Sequence, residues 1–199
     1  MKTAFCFDLD GTVTTTEILP CIASELGVAD EIATLTRATM DGLISFEASF
    51  RLRYLILSRV NVSRIRSIVA EIPVDDAIFN FIREHKDDSF IITGNLDLWI
   101  EPICTLCGCK VFSSEGFLDE DVLKLKKIIN KADAVMNIRS MGYERVVAVG
   151  DGANDVPMLS TADISLAFGG VHAPAVAAKE ASDYIIHEGH ALCKILRGL

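Results

Sequence analysis

The stretch that decides the fold is Thr3-Ala4-Phe5-Cys6-Phe7, followed directly by Asp8-Leu9-Asp10-Gly11-Thr12. Residues 3–7 form a short apolar run that is typical of a buried β-strand. Asp8 and Asp10 follow two positions apart, a spacing at which an extended backbone points both side chains to one side. Two carboxylates placed in this way repel each other unless a cation lies between them. The stretch therefore predicts a strand that ends at a site suited to a hard metal ion and a carboxylate nucleophile.

Composition sets broad limits on the class of protein. The 199 residues are enough for one substantial core, alone or with a small accessory domain. Because 50% of the residues are hydrophobic and 24% are charged, we expect a folded chain. The net charge of -9 argues against nucleic acid or an anionic membrane as the main partner. No apolar run approaches about 20 residues, and Met1 leads almost directly into the first strand, so we expect a soluble cytoplasmic protein without a signal peptide.

The cysteines offer an alternative chemistry. Cys104, Cys107 and Cys109 lie close enough in sequence to bind zinc or to undergo redox reactions. The chain carries no second Cys or His pair at the spacing of a zinc finger. Cysteines of cytosolic proteins usually act as small buried apolar side chains, which is the favoured interpretation here.

From residue 14 to about residue 74 the sequence predicts helices and no strand. Apolar residues recur there at helical spacing in three stripes. Gly27 predicts the end of the first helix, Asp41-Gly42 a turn, and Asn61-Val62-Ser63 the beginning of the last helix. The stripes are Ile18, Leu19, Ile22 and Leu26; Phe46, Phe50, Tyr54 and Leu57; and Ile65, Ile68 and Val69.

From Pro73 onward, short apolar runs alternate with helical patterns. This alternation predicts an α/β fold with a doubly wound, mostly parallel sheet, interrupted by the helical insert. Ligands bind such sheets beyond the carboxyl ends of the strands. The predicted helices are residues 77–85, 96–107, 130–141 and 173–181, and the predicted strands are 89–93, 110–112, 145–149, 164–168 and 184–186.

Polar residues follow several of these strands. Thr93-Gly94-Asn95 supplies a hydroxyl and backbone N–H groups that can hold an anion. The turn Gly150-Asp151-Gly152-Ala153-Asn154-Asp155 supplies two further carboxylates, and Lys131 opens a helix where an ammonium can be held. Each feature has an ordinary explanation as a turn, a helix cap or a solvent-exposed lysine. Their combination favours one site with a nucleophile, metal ligands, a hydroxyl and a cation.

The motifs Asp8-x-Asp10-Gly11-Thr12, Thr93, Lys131 and Gly150-Asp151-Gly152-x-Asn154-Asp155 resemble, in order, the four motifs of the haloacid dehalogenase superfamily. The resemblance spans nearly the whole chain. It implies a Rossmann-like core, here residues 1–13 and 75–199, and an aspartyl-phosphate mechanism that needs Mg²⁺. Within the superfamily the chain also resembles phosphoserine phosphatases, whose helical cap corresponds to residues 14–74.

The resemblance implies a role for each motif residue. Asp8 is the nucleophile that attacks phosphorus, and Asp10 is the general acid and base. Thr93 and Lys131 stabilise charge on the transferring phosphoryl group. The implied Mg²⁺ ligands are the Asp8 carboxylate, the Asp10 backbone carbonyl and Asp151, with Asn154 and Asp155 orienting them.

Two residues of the insert match cap residues of phosphoserine phosphatases. Glu17 and Arg53 correspond to the groups that meet the substrate's amino and carboxylate groups, and residues 40–47 resemble a cap segment that precedes the arginine. The alternative interpretation is a surface glutamate and a helix-face arginine, since both residue types are usually exposed.

The chain also departs from that pattern. Phosphoserine phosphatases carry Ser-Gly-Gly where this chain has Thr93-Gly94-Asn95, and we expect Gly94 and Asn95 to border the substrate. Threonine keeps the hydroxyl, but asparagine replaces a glycine that lets the backbone approach the substrate. Lys126 and Lys127 are alternatives to Lys131 as the site lysine.

Three functional hypotheses follow. The first is a Mg²⁺-dependent phosphomonoester hydrolase acting on a small phosphorylated metabolite, with phosphoserine leading. The second is a phosphotransferase that passes the phosphoryl group to an alcohol such as homoserine. The third is a non-catalytic binding protein for a phosphorylated metabolite, which the Asp8 and Asp10 pair disfavours because a binder needs no general acid. The oligomeric state is open.

Overall fold

The apolar run that begins at Thr3 forms the middle strand of the sheet. In the computed structural model, which describes residues 1–40 and 43–199, seven strands pair in the order β4-β3-β2-β1-β5-β6-β7. They are β1 (Thr3–Phe7), β2 (Ser89–Leu96), β3 (Lys110–Asp119), β4 (Val122–Lys127), β5 (Arg145–Gly150), β6 (Ile164–Phe168) and β7 (Tyr184–Ile186). Only β3 and β4 are antiparallel, so the predicted mostly parallel α/β sheet is confirmed.

Helices lie on both faces of this sheet and in the insert that follows β1. They are α1 (Ile18–Leu26), α2 (Ala29–Met40), α3 (Phe46–Leu57), α4 (Val62–Ala70), α5 (Asp76–Glu84), α6 (Asp97–Cys107), α7 (Lys131–Ser140), α8 (Val156–Leu159), α9 (Val176–Glu180) and α10 (Gly189–Leu196). One hydrophobic cluster lies on each face of the sheet, and the side chains of β1 point alternately into the two. Phe5 and Phe7 pack with α5, α6 and α10, whereas Ala4 and Cys6 pack with α7, α8 and α9. This period of two follows from the pleat of the strand.

The chain enters and leaves the helical insert at one place. The backbone N–H of Thr15 donates to Pro73 O at 3.0 Å, and that of Asp75 donates to Val13 O at 2.9 Å. Helices α1 to α4 lie between these paired segments. The division into a core of residues 1–13 and 75–199 and a cap of residues 14–74 stays a proposal, which this paired connection supports.

Four elements, β4, α2, α8 and α10, are absent from the sequence prediction. Strand β3 continues to Asp119 instead of ending at residue 112, and it turns into β4 through Glu120 and Asp121 at φ 45° and 66°. Glycine usually occupies at least one position of such a turn, so Glu120-Asp121 gives only a weak sequence signal. Helix α2 buries Ile32 but presents a thin apolar stripe, and α10 follows the last strand. The predicted turn at Asp41-Gly42 falls outside the described residues.

In the described part of the chain, none of the helices combines the length and apolar character needed to cross a lipid bilayer.

Replacing Tyr54 with phenylalanine tests the link between helix α3 and the hairpin. The Tyr54 hydroxyl donates to Leu123 O at 2.6 Å and accepts from the Leu125 N–H at 3.0 Å. Tyr54→Phe leaves both backbone groups without this partner, so we expect the free energy of unfolding to fall by about 1–2 kcal/mol in urea titrations. The exposed Tyr184 provides the matched control. A loss no larger than that of Tyr184→Phe would contradict the link.

Candidate active site

The turn after β1 places two acids at the carboxyl edge of the sheet. The Asp8 N–H donates to Val149 O at 2.9 Å, which joins Asp8 to the end of β5. The chain then turns through Gly11 at φ 70°, a backbone conformation that residues with a side chain rarely adopt. A Cβ at Gly11 would also lie 3.1 Å from carboxylate oxygens of Asp151 and Glu17. Glycine therefore lets the turn pass close to these acids.

A buried lysine lies between two buried carboxylates. Lys131 begins helix α7, and its Nζ donates to Asp8 Oδ1 and Asp155 Oδ1, each at 2.5 Å. Burial lowers the pKa of Lys131, but the charges of Asp155 and Asp8 outweigh it, so the pKa is raised and the ammonium stays charged. Burial, followed by the charge of Asp155, raises the pKa of Asp8 well above its usual value. One ammonium therefore leaves negative charge uncompensated in this site.

The turn after β5 is held by its own acid. Asp155 Oδ2 accepts the backbone N–H groups of Asp151 at 3.0 Å and Gly152 at 2.8 Å. Asp151 Oδ1 accepts the Thr12 hydroxyl at 3.3 Å. Burial, then the charges of Asp155 and Glu17, raise the pKa of Asp151 to about 7. Asn154 lies half-buried in the same turn.

These acids fit a divalent cation. Carboxylate oxygens of Asp8, Asp151 and Asp155 lie within 4.8 Å of one another, and all three side chains are buried. Oxygen donors are the ligands that Mg²⁺ prefers. The uncompensated negative charge and the raised pKa values of Asp8 and Asp151 are both relieved when a cation binds.

Asp10 is held between the insert and the core. Its Oδ1 accepts the N–H of Ile18, the first residue of α1, at 2.6 Å, and its Oδ2 accepts from Asn95 Nδ2 at 3.1 Å. Burial, followed by the charge of Glu17, raises the pKa of Asp10 to about 7. A carboxyl group with such a pKa can give and take a proton near neutral pH.

The end of β2 brings a hydroxyl and an amide to the site. Thr93 Oγ1 accepts from Asn95 N at 3.2 Å and from Asn95 Nδ2 at 3.1 Å, which leaves the Thr93 proton to donate elsewhere. Gly94 faces Phe46 of the helical insert: a Cβ at Gly94 would lie 2.5 Å from Phe46 Cζ. Glycine at this position thus permits the helical insert to close on the strand end.

The insert contributes Glu17 and Arg53 near Asp10. Glu17 Oε1 lies 3.0 Å from His172 Nε2, and the same nitrogen lies 3.3 Å from Asp151 Oδ2. Burial lowers the pKa of Arg53, whereas the charges of Asp10 and Glu17 oppose this shift. Within the described residues, the buried Arg53 Nε has no hydrogen-bond partner. The structure therefore places both insert residues at the site, with Glu17 paired.

His172 is a site residue that the sequence analysis misses. It lies in the loop after β6, whose carboxyl end shares the edge of the sheet with β1, β2 and β5. Burial lowers the pKa of His172, but hydrogen bonds to Glu17 and the Ala173 carbonyl, together with nearby charges, raise it overall. The rule that ligands bind beyond strand ends is the signal that points to this loop.

The structure separates the remaining candidates from the site. Lys126 is exposed and pairs with Glu115 at 2.7 Å, and Lys127 lines a cavity between α6, β3 and α7, so Lys131 is the lysine beside Asp8. Burial raises the pKa values of the thiols at positions 104, 107 and 109 to about 12, 12 and 11, which keeps them protonated. Among the described residues, the candidate metal-binding groups include no cysteine. The zinc and redox interpretation gains no support.

Comparisons with known proteins agree with this arrangement. The sequence profile of the haloacid dehalogenase-like hydrolase family matches residues 5–160. The chain belongs to this family. It is 28% identical to the phosphoserine phosphatase of Methanocaldococcus jannaschii, over 84% of the chain and 85% of that relative. It is also 28% identical to the phosphoserine phosphatase of Lactococcus lactis subsp. lactis, over 84% of the chain and 83% of that protein.

Solved structures give the same result. A phospho-aspartyl intermediate analogue of phosphoserine phosphatase superposes with a TM-score of 0.81 and 26% identity, covering 100% of this chain and 98% of that one. The predicted family, the fold class and the enzyme class, a phosphatase, are confirmed.

The raised pKa values predict how stability depends on pH. Asp10 and Asp151 have pKa values of about 7 in the folded state against 3.8 ordinarily. The folded state therefore binds protons more tightly, and stability is lost as pH rises between these values. In thermal unfolding with EDTA, we expect Tm to be on the order of 5 °C lower at pH 8 than at pH 5.

Added Mg²⁺ should raise Tm at pH 8, because it replaces the protons as the compensating charge. Asp151→Asn should weaken both effects, whereas the exposed Asp133→Asn serves as the control. A Tm in EDTA that rises from pH 5 to pH 8 would show that these acids are not destabilised by burial.

Proposed function

We propose that the chain is a Mg²⁺-dependent phosphomonoester hydrolase that works through an aspartyl-phosphate, with phosphoserine as the leading substrate. The observation that carries this proposal is the buried contact of Lys131 with Asp8, next to Asp10 in its own hydrogen-bonded pocket. This arrangement supplies a nucleophile, Asp8, with a neighbouring cation, Lys131, and a separate acid, Asp10. The phosphoserine phosphatases among the relatives support the substrate.

Asp8 is the proposed nucleophile. Its Oδ1 is held by Lys131, which leaves Oδ2 to attack phosphorus in line. The Lys131 ammonium offsets the repulsion between the carboxylate and the phosphate dianion, and the free Thr93 proton can donate to a phosphoryl oxygen. Attack forms the bond from Asp8 to phosphorus and breaks the ester bond.

Asp10 is the proposed general acid and base. The Ile18 N–H and the Asn95 amide fix the orientation of its carboxyl group, and with it the position of the proton that this group carries. With a pKa of about 7, Asp10 protonates the leaving oxygen and then takes a proton from the water that hydrolyses the aspartyl-phosphate.

The proposed Mg²⁺ site uses residues that the structure brings together. The ion would be held by the Asp8 and Asp151 carboxylates and the Asp10 backbone carbonyl. Asn154 and Asp155 would orient these ligands. When bound, the ion neutralises charge on the phosphoryl oxygens and on the surrounding acids. The chain's own contribution is to keep these oxygens close together in a buried site.

The insert residues are the proposed contacts for the rest of the substrate. Arg53 lies near Asp10 with its Nε buried and unpartnered among the described residues, which suits a substrate carboxylate. Glu17 is the proposed contact for the amino group of the substrate, and Gly94 and Asn95 would border its leaving oxygen. Phe46 packs on Gly94, which helps to exclude water during transfer. The partner is thus a small phosphorylated metabolite, and cytoplasmic localisation stays a prediction.

Removing the nucleophile tests the mechanism. We expect Asp8→Asn to reduce phosphate release from phosphoserine in Mg²⁺ by at least about 10³-fold, because the neutral amide cannot form the acyl-phosphate. Asp133→Asn, an exposed change on helix α7, should retain the wild-type rate. Unchanged hydrolysis by Asp8→Asn would refute the aspartyl-phosphate. Analysing the products with and without homoserine separates hydrolysis from phosphoryl transfer.

Removing Arg53 tests recognition of the carboxylate. We expect Arg53→Ala to raise KM for phosphoserine by about 10–100-fold, the value of a hydrogen bond to a charged group. Hydrolysis of an aryl phosphate, which has no carboxylate, should change little. Arg51 lies on the same helix, where it is exposed and pairs with Glu47, so Arg51→Ala is the matched control. Equal losses on both substrates would assign Arg53 a structural role instead.

A further inference from the structure

The loop between β6 and α9 places a histidine on the glutamate of the insert. His172 Nε2 lies 3.0 Å from Glu17 Oε1, although 155 positions separate the two residues. The two side chains are 46% and 39% exposed, so the pair lies at the open side of the site and not within the core. A substrate that enters there meets Glu17 already in contact with His172.

The partners of the imidazole identify it as a hydrogen-bond donor. Nε2 faces carboxylate oxygens of Glu17 and Asp151, at 3.0 Å and 3.3 Å, and carboxylates accept hydrogen bonds. Nδ1 lies 3.2 Å from the Ala173 carbonyl oxygen, which also accepts. His172 therefore presents to Glu17 the same kind of group as a substrate ammonium: a positively polarised N–H.

Glu17 and Arg53 consequently differ in what they offer to a substrate. Glu17 has a partner within the protein. Arg53 has a buried Nε without a hydrogen-bond partner in the described residues, while the charges of Asp10 and Glu17 act on its guanidinium. The Arg53 Nε thus remains available to an anionic group of the substrate, whereas the Glu17 carboxylate is already in contact with a donor from the protein.

We propose that His172 is a specificity-determining residue, which occupies Glu17 in place of a substrate ammonium and so lets the site accept phosphorylated hydroxy acids alongside phosphoserine. This inference rests on the proposed function. The substrate class it names is a phosphomonoester whose alcohol carries a carboxylate, with or without an amino group. An ammonium-bearing substrate has to displace the histidine, whereas its deamino analogue leaves the His172 contact with Glu17 in place.

The experiment compares phosphoserine with 3-phosphooxypropanoate, the same molecule without its amino group. The quantity measured is the ratio of kcat/KM for phosphoserine to kcat/KM for the analogue, at one fixed pH in Mg²⁺. Any effect of a substitution on Asp151 or on the metal acts on both substrates, so it cancels in the ratio. Wild type should hydrolyse both compounds.

His172→Ala frees Glu17 for the ammonium. We expect the ratio to rise by about tenfold, mainly through a lower KM for phosphoserine, because one hydrogen bond to a charged group no longer has to be broken. In a Glu17→Gln background the same substitution should leave the ratio unchanged. His190→Ala, an exposed histidine at the start of α10, should behave as wild type.

The outcomes separate the two proposals. A ratio that changes less than fivefold in His172→Ala, while both proteins hydrolyse phosphoserine, would overturn the role of His172 and leave the proposed function intact. A rise that persists in the Glu17→Gln background would also overturn it, since the effect would not act through Glu17. If wild type hydrolyses neither compound but releases phosphate from an aryl ester, the proposed substrate itself is wrong.

Discussion

The ammonium of Lys131, buried between the carboxylates of Asp8 and Asp155, is the interaction on which the rest of the site depends. It joins the end of β1, the start of α7 and the turn after β5 at one point. A buried charge is costly unless it is paired, so these three elements are fixed relative to one another. Asp155 extends the network, because its second oxygen holds the backbone of the β5 turn and thereby positions Asp151.

A second set of contacts joins the helical insert to this edge of the sheet. The Ile18 N–H binds Asp10, Phe46 packs on Gly94, and the Tyr54 hydroxyl binds the hairpin. Separate residues of the insert therefore contact Asp10, the end of β2 and the hairpin at the edge of the sheet. In the proposed function, chemistry at phosphorus and selection of the leaving group belong to different parts of the chain, which meet at Asp10.

Much of this arrangement follows from the sequence, because each predicted strand is a short apolar run with polar residues at its end. The Asp8, Thr93 and Asp151 positions are predicted in this way, and parallel pairing brings them together. The choice of Lys131 over Lys126 and Lys127 needs the structure, since all three lie in one lysine-rich region. His172 follows strand β6 after Gly169, Gly170 and Val171, and its contact with Glu17 is purely tertiary. The hairpin turn at Glu120 and Asp121 lacks the glycine that usually marks one.

Strand β4, which the sequence pattern does not predict, carries the lysines that lie outside the candidate active site. It forms one outer edge of the sheet, and Lys124, Lys126 and Lys127 project from it into solvent. An edge strand offers unpaired backbone groups to any other extended chain, and closely spaced lysines oppose such pairing by charge repulsion and hydration. At the other edge β7 is only 3 residues long, which gives an incoming strand little to add to. Lys126 and Lys127, the two alternatives to Lys131 in the sequence, thus lie where their charge disfavours the addition of another strand.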